Sequence, residues 1–317
     1  MPSTCNPATA HRGRRAVLHL ISALTLGLSS LVSLQANAQE RSLDTAFGPV
    51  SVKGEVKRVI TLDEGALDTV LSLGMQPVGS VAARGGKELP TYLQERASNV
   101  PIVGVTREPN LEAIFAQRPD LILASPGLEK RVYDILSKIA PTIVPTTPTT
   151  APWAERNALY VEALGKQDEM QKLVAEVEAR IESLRGRIEP GQTYSVVRWM
   201  PQGPMTMSSK LITGQLLTAL GMKSTEPAEA LGDRPHSDIL SLENLGSVDA
   251  DWLFLATLNE QGDATLAAAQ EQPAFTRLTA ARNNRAIPVD GQVWSSGTGV
   301  LAAQKILDDV ERIVLKP

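Results

Sequence analysis

Apolar residues in this chain fall into short continuous runs separated by stretches of helical period. "RVITL" (58–62), "PVGSVA" (77–82), "PIVGV" (101–105), "DLILAS" (120–125) and "TIVP" (142–145) are strand-length runs rich in Val and Ile. Between them "EGALDTVLSLG" (64–74), "LPTYLQERA" (89–97), "NLEAIFAQR" (110–118) and "EKRVYDILSKIA" (129–140) carry the spacing of amphipathic helices. Strands that are apolar throughout and alternate with helices predict a parallel sheet covered on both faces.

The rhythm stops at "PTTPTTAP" (145–152) and changes character. From Trp153 to Ile188 there is no proline, and Leu159, Ala163, Leu164, Met170, Leu173, Val174, Val177, Ile181 and Leu184 recur at helical spacing. The pattern predicts one long helix of about 50 Å at 1.5 Å per residue, with two helices broken near Gly165 as the alternative. After Glu189-Pro190-Gly191 the strand and helix signals resume in "TYSVVRWM" (193–200), "PMTMSS" (204–209), "GQLLTALGM" (214–222) and "RAIPVD" (285–290), and a helix over 299–314 closes the chain. The fold class read from this pattern is α/β: two α/β lobes with mainly parallel sheets, 39–152 and 189–317, joined by one long helix over 153–188.

One unit occurs in both halves. In "PNLEAIFAQRPDLILASPG" (109–127), Glu112 is followed eight positions on by Asp120 and a Leu-Ile-Leu strand; in "LSLENLGSVDADWLFLAT" (240–257), Glu243 is followed eight positions on by Asp251 and Trp-Leu-Phe-Leu. "LGM" also recurs, at 73–75 and 220–222. Asn110 and Ser241 suit helix N-caps, and a first-turn carboxylate gains about 0.3–1 kcal/mol from the helix dipole, which by itself accounts for one such glutamate. Two copies in equivalent places suit a partner that is itself paired.

Composition narrows the setting. Arg12, Arg14 and Arg15, an apolar run from Ala16 to Leu34 and the closing Ala36-Asn37-Ala38 have the order of a secretory signal over 1–38, by either the general or the twin-arginine route. Cys5, His11 and His19 all lie inside it, so the mature chain carries no cysteine and one histidine, His236. An exported chain without disulfides, and without a cysteine at the cleavage point for a lipid anchor, fits the periplasm. The net charge is −4, more negative by three once the signal's arginines leave, and there is no basic tract for nucleic acid. Divalent-metal sites usually draw on several His or Cys ligands, which one histidine does not supply.

Ligands of open α/β sheets lie beyond the carboxyl ends of the strands. Arg84 follows "PVGSVA", Arg107 follows "PIVGV" and Arg198 closes "TYSVV". Each alone reads as a surface charge; together they predict a cleft for an anionic ligand, since guanidinium groups grip oxygen anions with paired hydrogen bonds. Trp199 and Trp294 are expected to line it with ring faces, Tyr92 and Trp153 are weaker candidates, Arg234 is a reserve, and Trp252 reads as core. An enzyme finds little support: there is no G-x-S-x-G elbow and no P-loop, and "GTGVLA" (297–302) matches G-x-G-x-x-A too near the chain's end for a dinucleotide fold.

The segments "VGVTREPNLEAIFAQRPDLILAS", "DILSLENLGSVDADWLFLA" and "VWSSGTGVLAAQKILDDV", with the helical connector, give the whole mature chain a resemblance to the periplasmic substrate-binding proteins of iron-siderophore ABC importers. The resemblance implies a monomeric, non-enzymatic protein that binds a ferric siderophore between two lobes and delivers it to an inner-membrane ABC permease dimer. It also implies that Glu112 and Glu243 dock on arginine pockets of that permease, and that iron enters as part of the ligand, without a resident cofactor. A binding protein for haem or a corrinoid is the alternative.

Overall fold

In the computed structural model, which describes residues 40–315, the chain opens with an antiparallel hairpin of β1 (Glu40–Thr45) and β2 (Gly48–Lys53) that the periodicity does not announce. The signal segment read over 1–38 lies outside the described residues. Next come β3 (Val59–Leu62), β4 (Gly79–Ala82), β5 (Ile102–Val105), β6 (Glu108–Pro109), β7 (Leu121–Ala124) and β8 (Thr142–Ile143). They form one sheet in the order β6-β5-β4-β3-β7-β8, parallel except for the β5–β6 pair. Every residue of β3, β4 and β7 is buried, as strands covered on both faces must be. Helices α1 (Glu64–Ser72), α2 (Leu111–Ala116) and α3 (Lys130–Leu136) belong to this lobe; the segment 89–97 forms only a 3-10 turn at Thr91–Leu93. Because β3 lies between β4 and β7, strand order reverses beside it, and Asp63 and Glu64 at its carboxyl end sit where such sheets open a crevice.

The connector differs from the single helix expected over 153–188. It consists of α4 (Ala158–Leu164) and α5 (Gln167–Arg185), separated at Gly165, which adopts φ +68. That left-handed conformation ends an α-helix and is strained for any residue with a Cβ. The two helices serve different cores: Tyr160, Ala163 and Leu164 pack with Val59, Val70 and Leu121 of the first lobe, whereas Val177, Ile181 and Leu184 pack with Leu216, Phe254 and Ile306 of the second. The shared apolar period hides this change of partner.

In the second lobe β9 (Thr193–Met200), β10 (Gly203–Thr206), β12 (Trp252–Thr257) and β13 (Ala286–Asp290) run in the order β10-β9-β12-β13, with the short β11 (Lys223–Ser224) also on β9. Only the β9–β10 hairpin is antiparallel. Helices α6 (Ile212–Ala219), α7 (Glu226–Glu229), α8 (Glu260–Gln270), α9 (Pro273–Thr276), α10 (Thr279–Arg282), α11 (Gly291–Trp294) and α12 (Val300–Ile313) complete it. The Glu243 segment is not an α-helix as the repeat suggests but a 3-10 helix, Leu242–Val248, and the Ser241 side chain makes no cap bond. Gly246 and Ser247 within "LENLGSV" are weak helix formers, unlike the residues of "LEAIFA".

Several hydrogen bonds join the lobes. Asn157 Nδ2 donates to Gly65 O at 3.3 Å and Thr298 O at 2.8 Å, Thr91 N to Gln292 Oε1 at 2.8 Å, and Asn259 Nδ2 to Gly85 O at 2.9 Å.

Candidate functional site

Between the lobes lies a cavity of about 180 Å3 lined by Arg84, Arg156, Arg198, Trp153, His236 and the loop Ser295–Thr298, among others. Arg84 follows β4; its side chain is exposed, while its backbone N–H donates to Glu64 Oε1 at 2.6 Å. Arg156 stands just before α4 and donates from Nη1 to Thr149 O at 2.6 Å. Arg198 is 8% exposed and is held by the loop before α12: Nε donates to Ser295 Oγ at 2.9 Å, and Nη2 to Ser295 O and, at 3.2 Å, to Ser296 Oγ. None of the three guanidinium groups forms an ion pair with a described carboxylate.

These cations act on one another. Burial, and then the field of Arg84, push Arg198 down to about 10 against the pull of Glu64, so it stays charged at neutral pH. Burial also lowers Arg156; Asp63, Tyr160 and Glu64 oppose the shift and Arg84 adds to it. Burial raises Glu64 in turn, opposed by the N–H and the charge of Arg84. The cleft is therefore a cationic site tempered by two carboxyl groups at the end of β3. Such guanidinium groups, without ion pairs among the described residues, can donate to the oxygens of an anionic ligand, Arg198 chiefly from Nη1 because Nε and Nη2 are held by the loop.

Of the residues expected here, the structure brings Arg84, Arg198 and Trp294 to the cavity lining, and leaves Arg107 and Trp199 outside it. Arg107 stands exposed on the tight turn between β5 and β6, which folds the chain back at the sheet edge. Trp199 is 2% exposed and packs with Val197, Leu253 and Phe275. Consecutive side chains of a strand point to opposite faces, so the strand that aims Arg198 at the cleft must aim Trp199 away. Trp294 borders the cavity, but its ring lies against Phe254 with centroids 4.5 Å apart and its N–H donates to Asp309 Oδ2 at 3.0 Å, leaving no free face for stacking. Although burial raises Asp309, its bonds to Lys305, Arg312 and Trp294 hold it below the usual carboxylate value.

The sequence pattern does not single out Arg156 and does not place His236 in the cleft. Arg156 follows Trp153 by three residues in "PWAERN", and that spacing on a turn leading into a helix is the available signal. His236 is half-buried in the lining, its Nδ1 2.8 Å from Ser237 O. Arg234 lies exposed nearby, outside the lining. Tyr92 faces Asp68 rather than the cavity. Glu112 and Glu243 are both exposed, one on each lobe, beside exposed apolar residues: Phe115 (68%) on α2, and Leu242 next to Glu243. Among the described residues, no group of three or more His, Cys, Asp or Glu is placed to hold a metal ion.

Comparisons with known proteins agree with this architecture. The chain is 28% identical over 308 residues to the probable siderophore-binding lipoprotein YfiY of Bacillus subtilis, covering 94% of each chain. It is 26% identical to the Fe(3+) dicitrate-binding periplasmic protein FecB of Escherichia coli, covering 94% of this chain and 97% of that one. The crystal structure of Staphylococcus aureus SirA complexed with staphyloferrin B superposes with a TM-score of 0.74 at 27% identity, covering 86% of this chain and 97% of SirA. The family profile of periplasmic binding proteins matches residues 59–293. With its two α/β sheets, helical connector and cleft between lobes, the chain is a binding protein rather than an enzyme and belongs to the periplasmic binding protein family.

Proposed function

We propose that this protein binds the ferric complex of a carboxylate-type siderophore in its cleft, in the periplasm and as a monomer, and delivers it to an inner-membrane ABC permease dimer. The observation that carries the ligand class is the convergence of Arg84, Arg156 and Arg198 on one cavity without ion-pair partners. A neutral ferric hydroxamate would desolvate three cations and return no charge to them, whereas free carboxylates on the ligand give each a charge-assisted hydrogen bond. A ferric catecholate is anionic as well, but its rings also gain from aromatic faces, and with Trp294 committed to the core the lining offers chiefly Trp153 and His236. The name of FecB, an Fe(3+) dicitrate-binding protein, points the same way. Iron enters only as part of the ligand, and no resident cofactor is needed. The exposed Glu112 and Glu243 are the docking residues for arginine pockets on the two permease subunits. The haem alternative rests on His236 in the cleft as an axial ligand.

Titration of tryptophan fluorescence with ferric citrate, a ferric hydroxamate, a ferric catecholate and haemin tests the ligand class. Ferric citrate should bind best. Arg84→Ala, Arg156→Ala or Arg198→Ala should each weaken it about tenfold to a hundredfold, while Arg107→Ala leaves it unchanged. Preference for the hydroxamate, the catecholate or haemin, or wild-type affinity in all three cleft variants, would overturn the assignment.

A further inference from the structure

The glycine motif of 297–302 has a structural purpose that no dinucleotide supplies. It opens α12, whose first N–H groups have no partner within the helix. Those of Leu301 and Ala302 are taken by one side chain of the other lobe: Leu301 N donates to Asp68 Oδ1 at 3.1 Å and Ala302 N to Asp68 Oδ2 at 2.9 Å. Asp68, on α1, is fully buried. Gly299 is required for the approach, since a Cβ there would lie 2.0 Å from Asp68 Oδ1; on the other side of the seam, a Cβ on Gly65 would lie 2.4 Å from Thr298 Oγ1. A helix N-terminus favours an anion, and here the anion is the protein's own.

The seam leads directly to the cleft. Ser295 and Ser296, which hold Arg198, and Gly297 and Thr298, which line the cavity, precede α12, and Asn157 ties Thr298 back to Gly65 of α1. We propose that Asp68 is the latch of this cleft, a positioning residue whose carboxyl group seats the first turn of α12 and with it the loop that holds Arg198, and that the latch closes more firmly in acid than at neutral pH.

The sign follows from burial. Desolvation raises Asp68 to about 6, against the opposing effects of the Leu301 and Ala302 N–H groups, Tyr92 and Arg96. The groups around it are Tyr92 and Arg96 from the 91–96 segment, and Asp63 and Glu64 one turn back on α1, both acting on Tyr92. From α12 come the two N–H groups; its first charged residue, Lys305, is paired with Asp309. Opening the seam admits water and returns Asp68 to the ordinary carboxylate range. A group whose closed-state value is raised contributes stability that is fully present below the open-state value and lost as pH rises through about 6. The Tyr92 hydroxyl, buried beside Asp68, favours the carboxylate as a donor and can turn its oxygen to accept once Asp68 is protonated.

Amide hydrogen exchange of the unliganded protein reads the latch directly, independently of the ligand proposed above. After correction for intrinsic rates, Leu301 and Ala302 should be about tenfold better protected at pH 5 than at pH 7, while Phe254 and Leu255 in β12 stay constant. Asp68→Asn should abolish the pH dependence. Tyr92→Phe, which removes an O–H that favours the carboxylate, should move the transition to higher pH. Flat protection in the wild type, protection that falls in acid, or pH dependence retained in Asp68→Asn would overturn the proposal; should that variant fail to fold, the wild-type and Tyr92→Phe series still decide it. Release of ferric citrate, compared with Asp68→Asn at each pH so that ligand chemistry cancels, should slow in acid only in the wild type, and equal slowing in both would remove the link to the cleft. Failure of ferric citrate to bind at all would count against the ligand reading and leave the exchange result to judge the latch.

Discussion

The two copies of the Glu-Asp-strand unit, one in each lobe, agree where the sheet depends on them and differ where it does not. Asp120 accepts the backbone N–H groups of Lys57 and Arg58, both at 2.9 Å, just ahead of β3; Asp251 accepts Thr193 N at 2.7 Å and Thr193 Oγ1 at 2.8 Å at the start of β9. Each aspartate thus ties its own strand, β7 or β12, to the parallel neighbour at the end where the ladder begins. The segments before them are unlike. α2 is a regular helix with Asn110 Oδ1 accepting Ala113 N at 3.0 Å, while the Glu243 segment is a 3-10 turn without a side-chain cap. What is common to both is an exposed carboxylate at a fixed distance ahead of a buried strand.

If that shared placement serves docking, the largest effect is on transport. Glu112→Ala with Glu243→Ala should abolish ferric citrate uptake in cells while leaving its affinity for the purified protein intact, and each single change should fall between. Uptake that survives the double change would make the repeat a matter of folding alone. Next in size is the strand tie: Asp120→Ala and Asp251→Ala should each destabilise by about 1–3 kcal/mol in urea titrations. The Thr193 backbone and side-chain bonds hold Asp251 below the usual carboxylate value, so its contribution is present above that value and is lost as pH falls through the lower one. That is the reverse of Asp68, and the two separate in a stability profile taken down through pH 4. The smallest effect sharpens the contrast between the segments: Asn110→Ala should cost about 1 kcal/mol, and Ser241→Ala, which breaks no cap bond, a small fraction of that.

Much of the local plan was legible before any coordinates. The buried runs β3, β7, β9 and β12, the duplication and the Asn110 cap are all statements about neighbours in sequence, which periodicity and side-chain chemistry encode. Arg198 is aimed at the cleft because it closes a strand, and the same period-two alternation turns Trp199 away from it. Helical spacing runs the connector's two helices into one because it reports that a face is apolar without reporting which core it meets. At Gly165 the chain leaves one core for another, and the sequence marks the place with a single glycine.

The α/β class, the two lobes and the repeated glutamates follow from the order and period of side chains along one strand or helix at a time. Which cations share a cavity, the place of the Trp294 ring in the core, and the meeting of Asp68 with α12 across 233 residues of sequence emerge only when the elements pack together. The physical reason is that a pattern fixes which face of an element is buried, whereas the charge and reach of a side chain take effect only against the particular group that packing sets opposite it.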